Sequence, residues 1–103
     1  MEKTIRIQLV EDEVIVAMLM EDVLNNLGYT VSGHVTTGED AIISAKQNPP
    51  DIILMDIRLA GIIDGIEAAS SIKSEFDIPV IFLTGYDDKA VRKRAEKITL
   101  WDF

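Results

Sequence analysis

Asp56 ends the apolar run Ile52-Ile53-Leu54-Met55, and a charge in that place has two explanations. It is an ordinary strand-end residue turned to water, or it is placed there to react or bind. Glu11, Asp12 and Glu13 repeat the pattern after Leu9-Val10, and Thr84 ends a third apolar run, Val80 to Leu83. Carboxylates brought together raise one another's pKa or recruit a cation. An all-oxygen pocket with room for water suits Mg²⁺ rather than zinc or copper. Such a metal screens the pocket for a phosphoryl group and leaves one carboxylate free as nucleophile, as in aspartyl-phosphate chemistry. Thr84 would then donate a hydrogen bond to a phosphoryl oxygen. Each motif alone has a plain structural reading: acids in a first helical turn complement the macrodipole, and a lone Asp closes a strand. Acidic pair, lone Asp and Thr in this order are harder to assign to chance.

The chemistry requires these residues to arrive at one place, and the apolar pattern supplies the means. Thr4–Val10 alternates early and ends apolar, as a strand does. Residues 13–27 set Val16, Leu19, Val23 and Leu27 at helical spacing, with Gly28 as the stop. Tyr29–Val35 is rich in β-branched residues, and Gly38–Asn48 predicts a helix stopped by Pro49-Pro50. Asp51–Asp56 has the continuous apolar character of a strand buried on both faces. Asp64-Gly65 opens a helix with Ile66, Ala69, Ile72 and Phe76 inward, Pro79–Thr84 is a fourth strand, and Asp87-Asp88 caps a helix through Lys97. The order βαβαβαβα predicts an α/β fold, a doubly wound parallel sheet with helices on both faces. All strands of such a sheet end on one edge, where ligands bind at a topological switch point. If the first, third and fourth strands are neighbours, Glu11, Asp12, Asp56 and Thr84 meet there.

The 103 residues suggest one domain, and 48% hydrophobic composition is ample for a core. No apolar run approaches the roughly 20 residues of a membrane helix, and the acidic turn at Glu11–Glu13 stands where a secretion signal would be apolar. The absence of cysteine excludes disulfides and thiolate chemistry, and these features together point to the cytoplasm. A net charge of −8 disfavours direct binding to nucleic acid. The basic cluster Lys89–Lys97 reads as a solvated helix face or as a dock for an acidic partner. His34, the single histidine, lies away from the other motifs and makes no metal site alone, while Met18, Met20 and Met55 fit core packing.

With "IQLVEDE", "PDIILMDIRL", "DGIEAA" and "IPVIFLTGYDD" in place, the chain resembles the receiver domain of two-component response regulators over roughly residues 4–97. The resemblance implies a flavodoxin-like sheet in order 2-1-3-4-5 and phosphoryl transfer from a histidine kinase's phosphohistidine to Asp56. It implies that Asp12, Asp56 and the Arg58 backbone carbonyl bind Mg²⁺ directly, and that Glu11 acts through a metal-bound water. Thr84 becomes the switch hydroxyl, with Gly85 leaving a small gap beside it, and Arg58 and Tyr86 stand where side chains tune dephosphorylation. The module would then be no enzyme in the ordinary sense, but a signalling domain with self-catalysed phosphotransfer and dephosphorylation. Its partners would be a sensor histidine kinase or phosphotransfer protein and a downstream protein.

Two departures stand out. The loop after Asp56 reads "RLAGIIDG", without the family's usual proline and one residue longer than its commonest form. The family's lysine after a fifth strand, and the helix that follows, have no counterpart in "EKITLWDF". The chain therefore divides into a receiver unit, 1–97, and an atypical tail, 98–103, with the fifth strand and last helix missing or atypical. Such a truncated or altered receiver would expose the fourth strand's edge unless Ile98–Phe103 covers it. A homodimer through that edge, the last helix or the tail is the other solution. Two rival functions remain: a receiver-like binding module that is not phosphorylated, and a haloacid-dehalogenase-type phosphohydrolase. The latter needs a second acid two residues after the nucleophile, where Arg58 stands.

Overall fold

The computed structural model describes residues 4–57, 59 and 61–83. Arg58, Thr84, the helix expected through Lys97, the Ile98–Phe103 segment and the boundary drawn at 97/98 lie outside the described residues. The elements run β1 (Arg6–Val10), α1 (Val14–Asn26), β2 (Thr30–Val35), α2 (Gly38–Gln47), β3 (Ile52–Asp56), α3 (Gly65–Phe76) and β4 (Val80–Leu83). Among the described residues they form one parallel sheet in the order β2-β1-β3-β4. The first, third and fourth strands are therefore neighbours, as the site requires.

Right-handed crossovers then fix the layers. The connection from β1 to β2 runs one way along the sheet, and those from β2 to β3 and β3 to β4 run the other way. This puts α1 on one face, and α2 and α3 together on the opposite face. The α2–α3 side is the well-filled one: Ala41, Ala45, Ala69 and Ile72 close over Val10, Ile53, Met55, Val80 and Phe82. Small alanines let the helices lie close to the strands.

The α1 side departs from expectation in two ways. Ile53 and Met55 are buried, but Ile52 and Leu54 are only half-buried, so β3 is not buried on both faces. On α1, the residues turned inward are Ala17, with Val16, Met20 and Leu24 half-buried. Leu19, Val23 and Leu27, expected inside, are 62%, 57% and 68% exposed, and Met18 is also outside. The helix carries apolar residues on two faces, and a period of 3.6 cannot say which one meets the sheet.

At the sheet's opposite edge Arg6 ties β1 to the approach of β3. Its N–H donates to Asp51 Oδ2 at 2.8 Å, and its guanidinium reaches Asn48 Oδ1 and the Pro49 carbonyl. Gln8 is the unusual core residue: it is 1% exposed, and neither amide atom has a hydrogen-bond partner among the described residues. No helix among the described residues is long and apolar enough to cross a membrane.

Candidate functional site

Val10 stands opposite Met55, so the next residue on each strand, Glu11 and Asp56, leaves the sheet side by side. One carboxylate oxygen from each of Glu11, Asp12 and Asp56 lies within 4.8 Å of the others. Glu11 is buried, Asp56 half-buried and Asp12 exposed, so the cluster is sunk at one end and open to solvent at the other. Leu83 of β4 stands opposite Asp56 in register. Thr84 and Arg58 belong to the expected site but lie outside the described residues.

The end of β1 is fastened on both sides of Glu11. Its N–H donates to the Val35 carbonyl at 3.0 Å, and His34 Nε2 lies 2.8 Å from the Glu11 carbonyl, donating to it. His34 is thus not remote from the motifs, as its place in the sequence suggested. Parallel pairing sets Leu9 against His34 and carries its ring to the loop that holds the acids. The helix-start explanation of the three acids also weakens. The first turn of α1 contains no acid, and Glu13, its N-cap residue, makes no side-chain capping bond.

Crowding shows in the Glu11 carboxyl, which is pushed up from 4.5 to about 8. Burial is the largest cause, followed by its hydrogen bond to Asp56 and the negative charges of Asp56 and Asp12; a backbone bond at Glu13 opposes them. Without a cation, Glu11 holds its proton near neutral pH and donates it to the Asp56 carboxylate. Held by the three carboxylates, a divalent cation would relieve the same crowding, and Glu11 would then be ionised. Three oxygen donors, one of them open to water, fit the requirements of Mg²⁺.

Asp56 is also tied to α3. Gly65 N–H donates to the Ile57 carbonyl at 2.8 Å, and Asp64 and Glu67 form a reciprocal capping box. A Cβ at Gly65 would fall on the Asp56 carbonyl oxygen and 2.9 Å from Ile57 Cα. This accounts for the "DG" that opens the helix: Asp64 caps it, and only glycine lets its first turn rest on the Asp56 peptide. The sequence reading missed Glu39, which reaches from α2 to accept from Ile63 N–H at 2.9 Å. A glutamate in a helix's first turn reads as a dipole complement, and no local signal marks a contact across 24 residues.

The profile of the response regulator receiver domain family matches residues 7–103. The chain is 32% identical over 90 residues to the transcriptional regulatory protein PdtaR of Mycobacterium tuberculosis, covering 87% of this chain and 43% of that protein. It is 30% identical over 99 residues to the chemotaxis protein CheY of Thermotoga maritima, covering 95% of this chain and 82% of CheY. The response regulator domain of Thermotoga maritima CheB superposes with a TM-score of 0.89 at 27% identity, over 98% of this chain and 77% of that one. The chain thus spans less than half the length of PdtaR, and most of CheY.

Proposed function

Because this chain belongs to the response regulator receiver domain family, we propose that it is the phosphoacceptor of a two-component relay, phosphorylated on Asp56 with Mg²⁺. The observation that carries the reading is the meeting of Glu11, Asp12 and Asp56 within 4.8 Å at the carboxyl ends of adjacent parallel strands.

In the proposed reaction an Asp56 carboxylate oxygen attacks the phosphorus of a phosphohistidine in line. The P–N bond breaks, its electron pair stays on the imidazole nitrogen, and an acyl phosphate remains. Asp12 and Asp56 would hold the metal, with Glu11 through a water and the Arg58 carbonyl as a further ligand. Bound Mg²⁺ supplies positive charge to offset the phosphoryl oxygens against three carboxylates. Glu11 keeps the site compact without metal by sharing its proton with Asp56, and gives up that proton when the cation arrives. The seating of α3 on the Asp56 peptide fixes the direction from which the nucleophile faces the donor. Thr84 would bond the phosphoryl oxygens as the switch hydroxyl.

The donor in this reading is a sensor histidine kinase or a phosphotransfer protein in the cytoplasm, and the output is contact with a downstream protein. The acid that a dehalogenase-type phosphohydrolase needs is replaced by Arg58, so the acyl phosphate is a signal to be read rather than an intermediate in turnover. The test is intact-mass measurement after incubation with Mg²⁺ and acetyl phosphate. A phosphate-sized gain in wild type and none in Asp56→Asn is expected. Absence of any adduct overturns the reading in favour of a non-phosphorylated binding module. Steady release of phosphate without an adduct favours the phosphohydrolase.

A further inference from the structure

The loop from Asp56 to α3 carries no proline to limit its backbone and includes Gly61, which has φ +102°. Its tip is not held by burial, since Ile62 is 93% exposed, although Leu59 and Ile63 pack against the core. Something must give this loop one course, because it begins at the nucleophile.

The anchor comes from α2. Glu39 is half-buried in the first turn of that helix, and its Oε1 accepts from Ile63 N–H at 2.9 Å. Its other oxygen lies against Gly61, where an added Cβ would stand 2.5 Å from Oε2. One residue earlier, a Cβ on Gly38 would stand 2.9 Å from Ile63 Cγ1 and 3.1 Å from Ala68 Cβ. A glycine on each side therefore permits the approach. Thr37 already caps α2 by accepting from Asp40 N–H, which leaves the Glu39 carboxylate free to face the loop.

We propose that Glu39 is a positioning residue for the acidic cluster: by holding the Gly61–Ile63 backbone it sets the loop's course away from Asp56, and with it the affinity for Mg²⁺. This rests on the phosphoacceptor reading. The acceptor oxygen, rather than the negative charge, does the holding. A hydrogen bond from a fixed helix to a loop selects one loop conformation in advance, so the metal need not order it on binding.

The test is Mg²⁺ titration of the full chain by calorimetry, for wild type, Glu39→Ala, Glu39→Asp and Glu39→Gln, with urea unfolding of each variant. Glu39→Ala is expected to weaken Mg²⁺ binding by up to about tenfold, the lower end of the range for partners bonded to the ligands themselves, because Glu39 holds the loop and not a ligand. Glu39→Asp keeps the charge but draws it back by one methylene, so it should weaken binding similarly and remain folded. Glu39→Gln keeps the acceptor and should restore binding to near wild type. Wild-type affinity in both Ala and Asp variants overturns the proposal. A Gln variant as weak as Ala also overturns it, because charge attraction would then be the cause. A wild type that binds no Mg²⁺ overturns the phosphoacceptor reading itself, and this inference with it.

Discussion

Replacing Glu11 by Gln should change how the stability of the metal-free protein depends on pH. The Glu11 carboxyl has its ordinary value, 4.5, in the unfolded chain and about 8 in the fold. Between those values the native state holds a proton that the unfolded state has released, so stability falls as pH rises. Each pH unit in that window costs at most about 1 kcal/mol, and solvent screening and the shared titration with Asp56 reduce the net loss to the order of a few kcal/mol across the interval. That is a sizeable part of a small domain's stability, about 5–15 kcal/mol. The stabilisation is fully present below pH 4.5 and is lost as pH passes about 8. Glu11→Gln retains a neutral hydrogen-bond donor toward Asp56 and removes the titration. Urea unfolding of both proteins from pH 5 to 8.5 in chelator isolates the titration of the Glu11–Asp12–Asp56 cluster, because the titrating groups outside it are common to the two. Wild type should lose stability relative to the variant across this range. With Mg²⁺ in excess the pH slope should shrink, since the cation replaces the proton. Parallel curves for the two proteins without metal would falsify the reasoning, because Glu11 would then titrate near its ordinary value.

Two further predictions concern packing. Gln8→Met removes two buried amide atoms that lack partners among the described residues while keeping the volume, and should stabilise by about 2 kcal/mol or more, at about 1–3 kcal/mol per orphaned group. Thermal unfolding should shift upward by roughly 4–8 °C per kcal/mol for a domain of this size; an unchanged or lower midpoint counts against the orphaned amide. Gly65→Ala forces α3 away from the Asp56 carbonyl and should cost about 1–3 kcal/mol, the range for an added buried methyl group without room. On the phosphoacceptor reading, phosphorylation by acetyl phosphate should fall with it, and a folded Gly65→Ala with wild-type phosphorylation would show that α3 does not aim the Asp56 carboxylate.

The parallel sheet and the convergence of Glu11, Asp12 and Asp56 were legible because they depend on element order and strand-end chemistry, which survive errors of a residue or two at each boundary. The face that α1 turns inward was not legible. Val16, Leu19, Val23 and Leu27 have the right spacing, yet Ala17 is the residue that reaches the sheet, where its size allows close approach. His34 and Glu39 were missed for a related reason: each acts on a backbone group distant in sequence, and neither type nor spacing announces such a contact. Gln8 fits the alternating pattern of a half-exposed strand, whereas the observed strand is central and covered.

The crowding at Gly38 and at Gly65 differs in what a lineage could do about it. At Gly38 the obstructing atoms belong to the side chains of Ile63 and Ala68, so a smaller residue at 63 could make room for a larger one at 38. Change at that position is open to second-site compensation, one neighbour adjusting to the other. At Gly65 the obstructing atoms are the carbonyl of Asp56 and the Cα of Ile57, which every residue type possesses. No side-chain substitution elsewhere can remove a backbone atom. A suppressor of Gly65→Ala would have to move β3 or α3 bodily, so mutational routes through that position close where those through Gly38 stay open.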